Sequence, residues 1–245
     1  VYGDIQIDES SGCIVEGRTE YEVADSGGLA KLIADAKSGD TISLSKNYEY
    51  KAAKDISIDK KITLDLNGQT IMYTGIGSQI FTVTDPSGEL TITGSGTISS
   101  NMGCVDSLIV VEKGAALNLQ GGTLTNSRGS HAVSALSKSR VKISGNAEIT
   151  GCQNASYGAG ILIAQGSTLE MSSGTISNNK SKDYGGAIRV SDGVAEISGG
   201  TISGNSAALD GGGVSLAAGT LTISGGSIIN NSANRCGGGV CSNIG

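Results

Sequence analysis

The sequence of 245 residues predicts an all-β fold, a parallel β-helix built as a solenoid of coils about 26 residues long with an N-terminal capping helix. Three observations carry this. The stretch from Gly185 onward states one pattern twice, GGAIRVSDGVAEISGGTISGNSAALD and GGGVSLAAGTLTISGGSIINNSANRC, and opens it again with GGGV at Gly237. An apolar residue in Gly-Thr-Ile-like units recurs at Ile71, Ile98, Leu124, Ile149, Ile176, Ile202 and Ile228, with gaps of 27, 26, 25, 27, 26 and 26. Each repeat holds three short alternating runs, such as Ile188 to Val190, Ala195 to Ile197 and Thr201 to Ser203, separated by Gly or Gly-Gly and too short for helices.

Taken in order, residues 1 to 25 alternate weakly (Ile5, Ile7, Ile14, Val15, Tyr21, Val23) and predict one or two strands leading into the solenoid. The next segment, SGGLAKLIADAKSGD, places Leu29, Leu32, Ile33 and Ala36 on one helical face, with Ser26 as N-cap and Gly39 after the last turn. Such an amphipathic helix would cover the apolar filling and unpaired backbone of a first coil. Residues 1–39 are therefore expected to be N-terminal strands and capping helix, and residues 40–245 the β-helix, forming one elongated domain. Asp40 to Leu44 and Asp55 to Ile58 would start the first, irregular coil.

From Lys61 onward, equivalent positions carry equivalent chemistry. Inward columns read Leu90/Ile92, Leu117/Leu119, Val141/Ile143, Leu169/Met171, Ala195/Ile197 and Leu221/Ile223. Three residues past most of the recurring apolar positions stands an asparagine: Asn101, Asn179, Asn205 and Asn231, with Asn126 one residue early and Cys152 in the remaining slot. Asparagine tolerates a left-handed backbone and can bond its amide to the next coil, so a structural ladder at one corner is expected. The outward second-run column reads Asp65, Thr91, Asn118, Lys142, Glu170, Glu196 and Thr222, with Lys142 and Glu170 as an ion pair between coils. The outward first-run column reads approximately Ile109, Ser134, Leu162, Arg189 and Ser215.

The pairing of Gly185-Gly186-Ala187-Ile188 with an apolar residue followed three later by asparagine (Ile202 to Asn205, Ile176 to Asn179, Ile228 to Asn231) resembles the repeats of right-handed parallel β-helix surface proteins. Chlamydial polymorphic membrane proteins and related bacterial adhesins carry that pairing. Their second motif usually begins with Phe and here begins with Ile or Leu, so the likeness is to the wider β-helix group, across roughly Ile80 to Gly245. It implies a right-handed, pectin lyase-like coil and a bacterial cell-surface or secreted location. It does not imply one activity, because this architecture serves adhesins, lyases and ice-binding proteins alike.

Composition narrows the function classes. The chain has 39 glycines, one proline, one Phe, no Trp and a formal charge of −6, which supplies no basic footprint for nucleic acid or anionic membrane. No apolar run approaches the roughly 20 residues of a membrane span. Five cysteines (Cys13, Cys104, Cys152, Cys236, Cys241) lack CxxC spacing, so no metal site and mostly free thiols are expected, a Cys236–Cys241 bridge requiring closure within one turn. No cofactor is expected. Val1 reads as a processed start and Gly245 as a cut within a coil, with further coils or another chain at that end.

Candidate chemistry concentrates in the long turn before the first run: Arg128 and His131, then Tyr157, then Lys180, Lys182, Asp183 and Tyr184, then Asp210, then Arg235. The candidate binding residues among these are Arg128, His131, Tyr157, Asp183, Tyr184 and Asp210. Tyr157, Tyr184, Asp210 and Cys236 each lie four residues before the next strand's first apolar position, so they are expected to form one column. The predicted role is ligand binding without catalysis, in an adhesin or stalk whose partner is a host or cell-surface glycan or protein. The alternative is a carbohydrate-active β-helix enzyme, for which Asp183 and Asp210 would form a carboxylate pair about 5 Å apart. A remote alternative is ice binding by the Thr and Ser columns flanking the third run, which Glu148 and Ile229 interrupt. His131, the single histidine, is expected in a solvated turn. The Asn-x-Ser triplets at Asn154, Asn179 and Asn230 read as by-products of polar turns.

Overall fold

The structure, a computed structural model, describes residues 13–14, 28–51, 54–75, 79–100, 107–154 and 156–242. Ser26, Asn101 and Cys104 lie outside the described residues, as do the two termini. Among the described residues the strands form sheets of nine, eight, eight and four members, and in each sheet a strand pairs with its counterpart from the adjacent coils. Pairing is parallel throughout except at Cys13–Ile14, which runs antiparallel to Asp40–Leu44. This is a parallel β-solenoid of coils about 26 residues long, as the repeats predict.

The register follows the apolar spacing. Ile98 lies opposite both Ile71 and Leu124, then Ile149, Ile176, Ile202 and Ile228 continue one column of direct partners, and Tyr48 extends it at the other end opposite Ile71. From Ile71 to Ile202 every member is at most 2% exposed. Burying such side chains is worth roughly 1.5–3 kcal/mol each. A slip of one residue would turn the whole set toward water, so the pattern fixes the pairing.

Two outward columns differ from the expectation. Asp65 pairs with Thr93, and it is Thr63 that stands opposite Thr91. Ile109 pairs with Phe81 and Val133 and is fully buried, so Val110 takes the outward place beside Ser134. The run Leu108-Ile109-Val110-Val111 is apolar on both faces, and alternation alone does not choose between them.

Helix α1 (Gly28–Asp35) buries Leu29, Leu32 and Ile33 in the same apolar cluster as the first coils. The Leu29 amide donates to Tyr48 Oη at 3.3 Å. Lys60 Nζ donates to the carbonyls of Ala34 (2.6 Å) and Ala36 (2.7 Å), which the helix itself leaves without partners. Tyr50, Tyr73 and Phe81, the largest fully buried side chains, fill these first coils, with the Tyr50 and Tyr73 rings 5.8 Å apart.

At one corner the asparagine ladder forms inside the solenoid. Asn179 Nδ2 donates to Asn205 Oδ1 (3.0 Å), and Asn205 Nδ2 donates to Asn231 Oδ1 (2.9 Å). Each amide also reaches a coil's carbonyl, Asn179 that of Ile149 and Asn205 that of Ile176. Asn126 does not belong to this ladder. Ser127, fully buried, occupies the slot: its carbonyl accepts from Gln153 as the carbonyls of Cys152 and Asn179 accept from Lys180 and Ser206. Asn126 instead has φ 56, matching Asn178 (φ 54) and Asn230 (φ 55), so left-handed backbone and interior amide are supplied by consecutive residues. Asn179 is 1% exposed, which removes its Asn-x-Ser triplet as a modification site.

A fourth, unforeseen sheet follows the ladder. It stacks the two-residue strands Gln153–Asn154, Lys180–Ser181, Ser206–Ala207 and Ser232–Ala233, which lie in what the sequence presents as a plain long turn. Two residues give no periodicity to read, yet their stacking brings the following turn of each coil into register.

Candidate functional site: a tyrosine and arginine groove

Tyr157, Tyr184, Asp210 and Cys236 form the expected column, each bridged in parallel to the next. The local cause is the positive-φ glycine directly after each of them, Gly158, Gly185, Gly211 and Gly237, followed by a second glycine in all but the first. Gly185 has φ +66, and a Cβ there would stand 2.4 Å from the Ile188 carbonyl oxygen; a Cβ on Gly186 would stand 2.2 Å from that of Gly212. The first glycine makes the turn, and the second admits the neighbouring coil. Ser181 Oγ braces the same turn by donating within reach of the Ser156 (2.9 Å) and Tyr184 (3.0 Å) carbonyls.

The tyrosine rings stack with centroids 5.9 Å apart and planes 12° from parallel. Arg189, outward on the strand Ile188–Val190, sets its guanidinium 4.6 Å from the Tyr184 centroid and 5.8 Å from that of Tyr157. Arg235 approaches Tyr184 from two coils further on at 5.9 Å. Cation–π contacts of this kind contribute about 0.5–2 kcal/mol each and hold ring and guanidinium in a fixed arrangement. With Ser191 these four side chains line an open groove of about 420 Å³. Tyr157 is 46% exposed, so the aromatic surface reaches solvent.

The two guanidinium groups differ in their partners. Arg235 grips Asp210 through both nitrogens, Nε donating to Oδ1 at 2.8 Å and Nη2 to Oδ2, which holds the guanidinium firmly protonated and leaves the fully buried Asp210 ion-paired. Arg189 donates from Nη1 to Ser215 Oγ at 2.6 Å, and its Nε is buried with no acceptor. Burial lowers its pKa from the ordinary value, while the two tyrosines and Asp210 act in the opposite direction.

Of the predicted binding residues, Tyr157 and Tyr184 line the groove and Asp210 joins it through Arg235. Asp183, Arg128 and His131 are not among the lining residues. Arg128 is exposed. His131 does not lie in a solvated turn: it opens the strand His131–Ala135, is buried, and its Nδ1 lies 2.8 Å from the Gly158 carbonyl, to which it donates. The carboxylate of Asp210, chelated by Arg235, is not available as the acid or base of a glycosidase pair. The alternation of its strand puts Arg189 in the outward first-run column, apart from the turn that carries the tyrosines. Its outward alternation was legible, but its return across the tyrosines depends on how tightly the glycine turn folds.

Cys236 and Cys241 form a disulfide, contrary to the expectation of free thiols. The glycine turn between them brings their Cα atoms to 5.9 Å, within the usual range for a bridge. The bond fastens the turn that begins beside Arg235 to the strand Val240–Ser242. Asp210 lies close enough for its carboxylate and both sulfurs to fall within 4.8 Å of one another, but the bonded sulfurs offer no thiolate to a metal. Cys152 is a buried free thiol whose pKa burial pushes up to about 12.

A second concavity, about 540 Å³, runs along the outward second-run column past Lys142, Glu170, Glu196 and Thr222. Lys142 Nζ lies 2.8 Å from Glu170 Oε2, the predicted pair between coils, worth at most about 1 kcal/mol in its exposed setting. On the third sheet, Glu148 accepts from Thr123 Oγ1 at 3.3 Å and interrupts the hydroxyl columns. No helix among the described residues is long and apolar enough to cross a membrane. Comparison with protein-family models, curated proteins and solved structures gives no match.

Proposed function

We propose that this chain is a noncatalytic β-helix of the cell surface or the secreted space, an adhesin or stalk segment that presents the Tyr157–Tyr184–Arg189–Arg235 groove to a partner. The observation carrying this reading is the stacked tyrosine pair set between two guanidinium groups at one open groove, with the neighbouring Asp210 carboxylate ion-paired. Exposed aromatic rings held rigidly by cations provide contact area at little conformational cost, which suits recognition more than proton transfer. The likeness of the Gly-Gly-Ala-Ile and Ile-x-x-Asn pairing to bacterial surface repeats points the same way. The test is binding of the purified chain to a glycan panel and to intact cells, compared with a Tyr157→Ala, Tyr184→Ala variant of normal stability. Loss of binding in the variant supports the groove, and full retention removes it.

One observation favours a second reading, a carbohydrate-active enzyme: Glu170 and Glu196 are direct register partners on a polar concavity. Turnover of polygalacturonate or alginate, with or without calcium, that disappears in Glu196→Gln would establish it in place of the adhesin.

A further inference from the structure

The strongest asymmetry in the groove is electrostatic. Its two cations stand near one carboxylate, and Arg235 takes both oxygens of that carboxylate. Arg189 is left with a serine hydroxyl on Nη1 and a buried Nε that has no acceptor. Its partners in the outward column are Leu162 and Ser215, so its own sheet supplies no acid on either side. A guanidinium with an unfilled donor in a desolvated position is costly unless something supplies an acceptor, because each buried unmet donor costs about 1–3 kcal/mol. The chain as a whole carries −6, so this local surplus of one positive charge does not come from a generally basic surface.

We infer that the groove takes an acidic glycan, a sugar carrying a carboxylate or sulfate that pairs with Arg189 while its ring lies against the exposed face of Tyr157. This deepens, and rests on, the reading of the groove as a binding site. Each part of the ligand answers a separate feature. With one N–H of Arg189 Nη1 given to Ser215 Oγ, the remaining guanidinium N–H groups fit an anionic oxygen of the ligand. A sugar ring offers a face of C–H groups that packs on an aromatic ring, and Tyr157 is 46% exposed. Ser191, on the same wall, offers a hydroxyl to the sugar's own. The single surplus charge against a net of −6 further favours a glycan presenting one acidic group over a dense polyanion.

The experiment measures binding of four probes to the whole chain by calorimetry: trigalacturonic acid, a galactose trisaccharide bearing one sulfate, neutral galactotriose, and a short single-stranded oligonucleotide. At least one acidic trisaccharide is expected to bind about tenfold or more tightly than the neutral one, and the two acidic probes separate carboxylate from sulfate. Arg189→Gln should abolish that preference, weakening acidic binding about tenfold or more and neutral binding by a smaller factor, since Arg189 also braces the tyrosine rings, and Arg189→Lys should restore part of it; unfolding midpoints of both variants are measured alongside. Equal binding of acidic and neutral sugars, unchanged in Arg189→Gln but reduced in Tyr157→Ala, overturns the acidic-ligand inference and leaves the groove standing. No binding of any probe, or glycan binding unaffected by Tyr157→Ala and Tyr184→Ala, overturns both. Oligonucleotide binding tighter than that of every glycan overturns the ligand class.

Discussion

Asn179 Nδ2 donates to Asn205 Oδ1 at 3.0 Å, with the two side chains 1% and 0% exposed, and the Asn179 backbone amide donates to the same oxygen. One carbonyl oxygen thus satisfies two donors of the coil before it, while the amide nitrogen of Asn205 serves the Ile176 carbonyl and Asn231. Asn205→Leu should cost about 2–4 kcal/mol, since it leaves several buried polar groups unmet. Asn205→Asp keeps the acceptor but loses the donors and buries a charge, so it should be at least as damaging at neutral pH and recover partly in acid. Urea unfolding at two pH values checks both; a loss under about 0.5 kcal/mol would mean the ladder is not load-sharing.

Ile176 lies between Ile149 and Ile202 with no exposed surface. Ile176→Ala should lose about 2–5 kcal/mol, and Ile176→Asp should fail to fold at neutral pH. Thr175→Ala, a partly exposed neighbour on the same strand, should stay within about 0.5 kcal/mol. Equal effects at the two positions would contradict the register.

Gly185→Ala meets two obstacles, a φ of +66 and a Cβ 2.4 Å from the Ile188 carbonyl oxygen. A loss of about 1–3 kcal/mol is expected, together with weaker ligand binding, because Tyr184 is the preceding residue. Unchanged stability and unchanged binding would show that the turn does not orient the ring.

Burial raises the Cys152 thiol from 9.0 to about 12. The unfolded thiol ionises first, so stability is intact below about pH 9 and falls by about 1.4 kcal/mol per pH unit above it until the folded pKa is reached. Tyr50, raised by burial from 10.0 to about 12, steepens the fall above its own unfolded value. Cys152→Ala should therefore flatten the decline between about pH 9 and 10, where Cys152 titrates before Tyr50. Parallel declines in the two proteins would refute this assignment.

The Cys236–Cys241 bridge predicts that neither residue is alkylated in the native protein without reductant and that both are labelled after reduction, as peptide mass spectrometry can follow. Reduction should also lower hydrogen-exchange protection around Arg235 and weaken groove binding, because the turn beside Arg235 loses its tether. Labelling of Cys241 in unreduced native protein would rule the bridge out.

Spacing by itself determined the inward column and the tyrosine-turn column of the repeated coils. Ile71 through Ile228 stack because parallel pairing in register turns a repeat of about 26 residues into a column, and Tyr157, Tyr184, Asp210 and Cys236 align for the same reason. What runs across the turns was decided only by the tertiary structure. Arg189 reaching back over both tyrosines, Arg235 chelating Asp210, the closure of Cys236 on Cys241, and Ser127 taking the slot expected of Asn126 all depend on backbone angles at glycine and asparagine corners. Alternation of apolar residues records which face a strand side chain takes, because burial selects it. The path of a corner is set by positive-φ residues and by close approach of neighbouring coils, which leave no periodic trace in the chain.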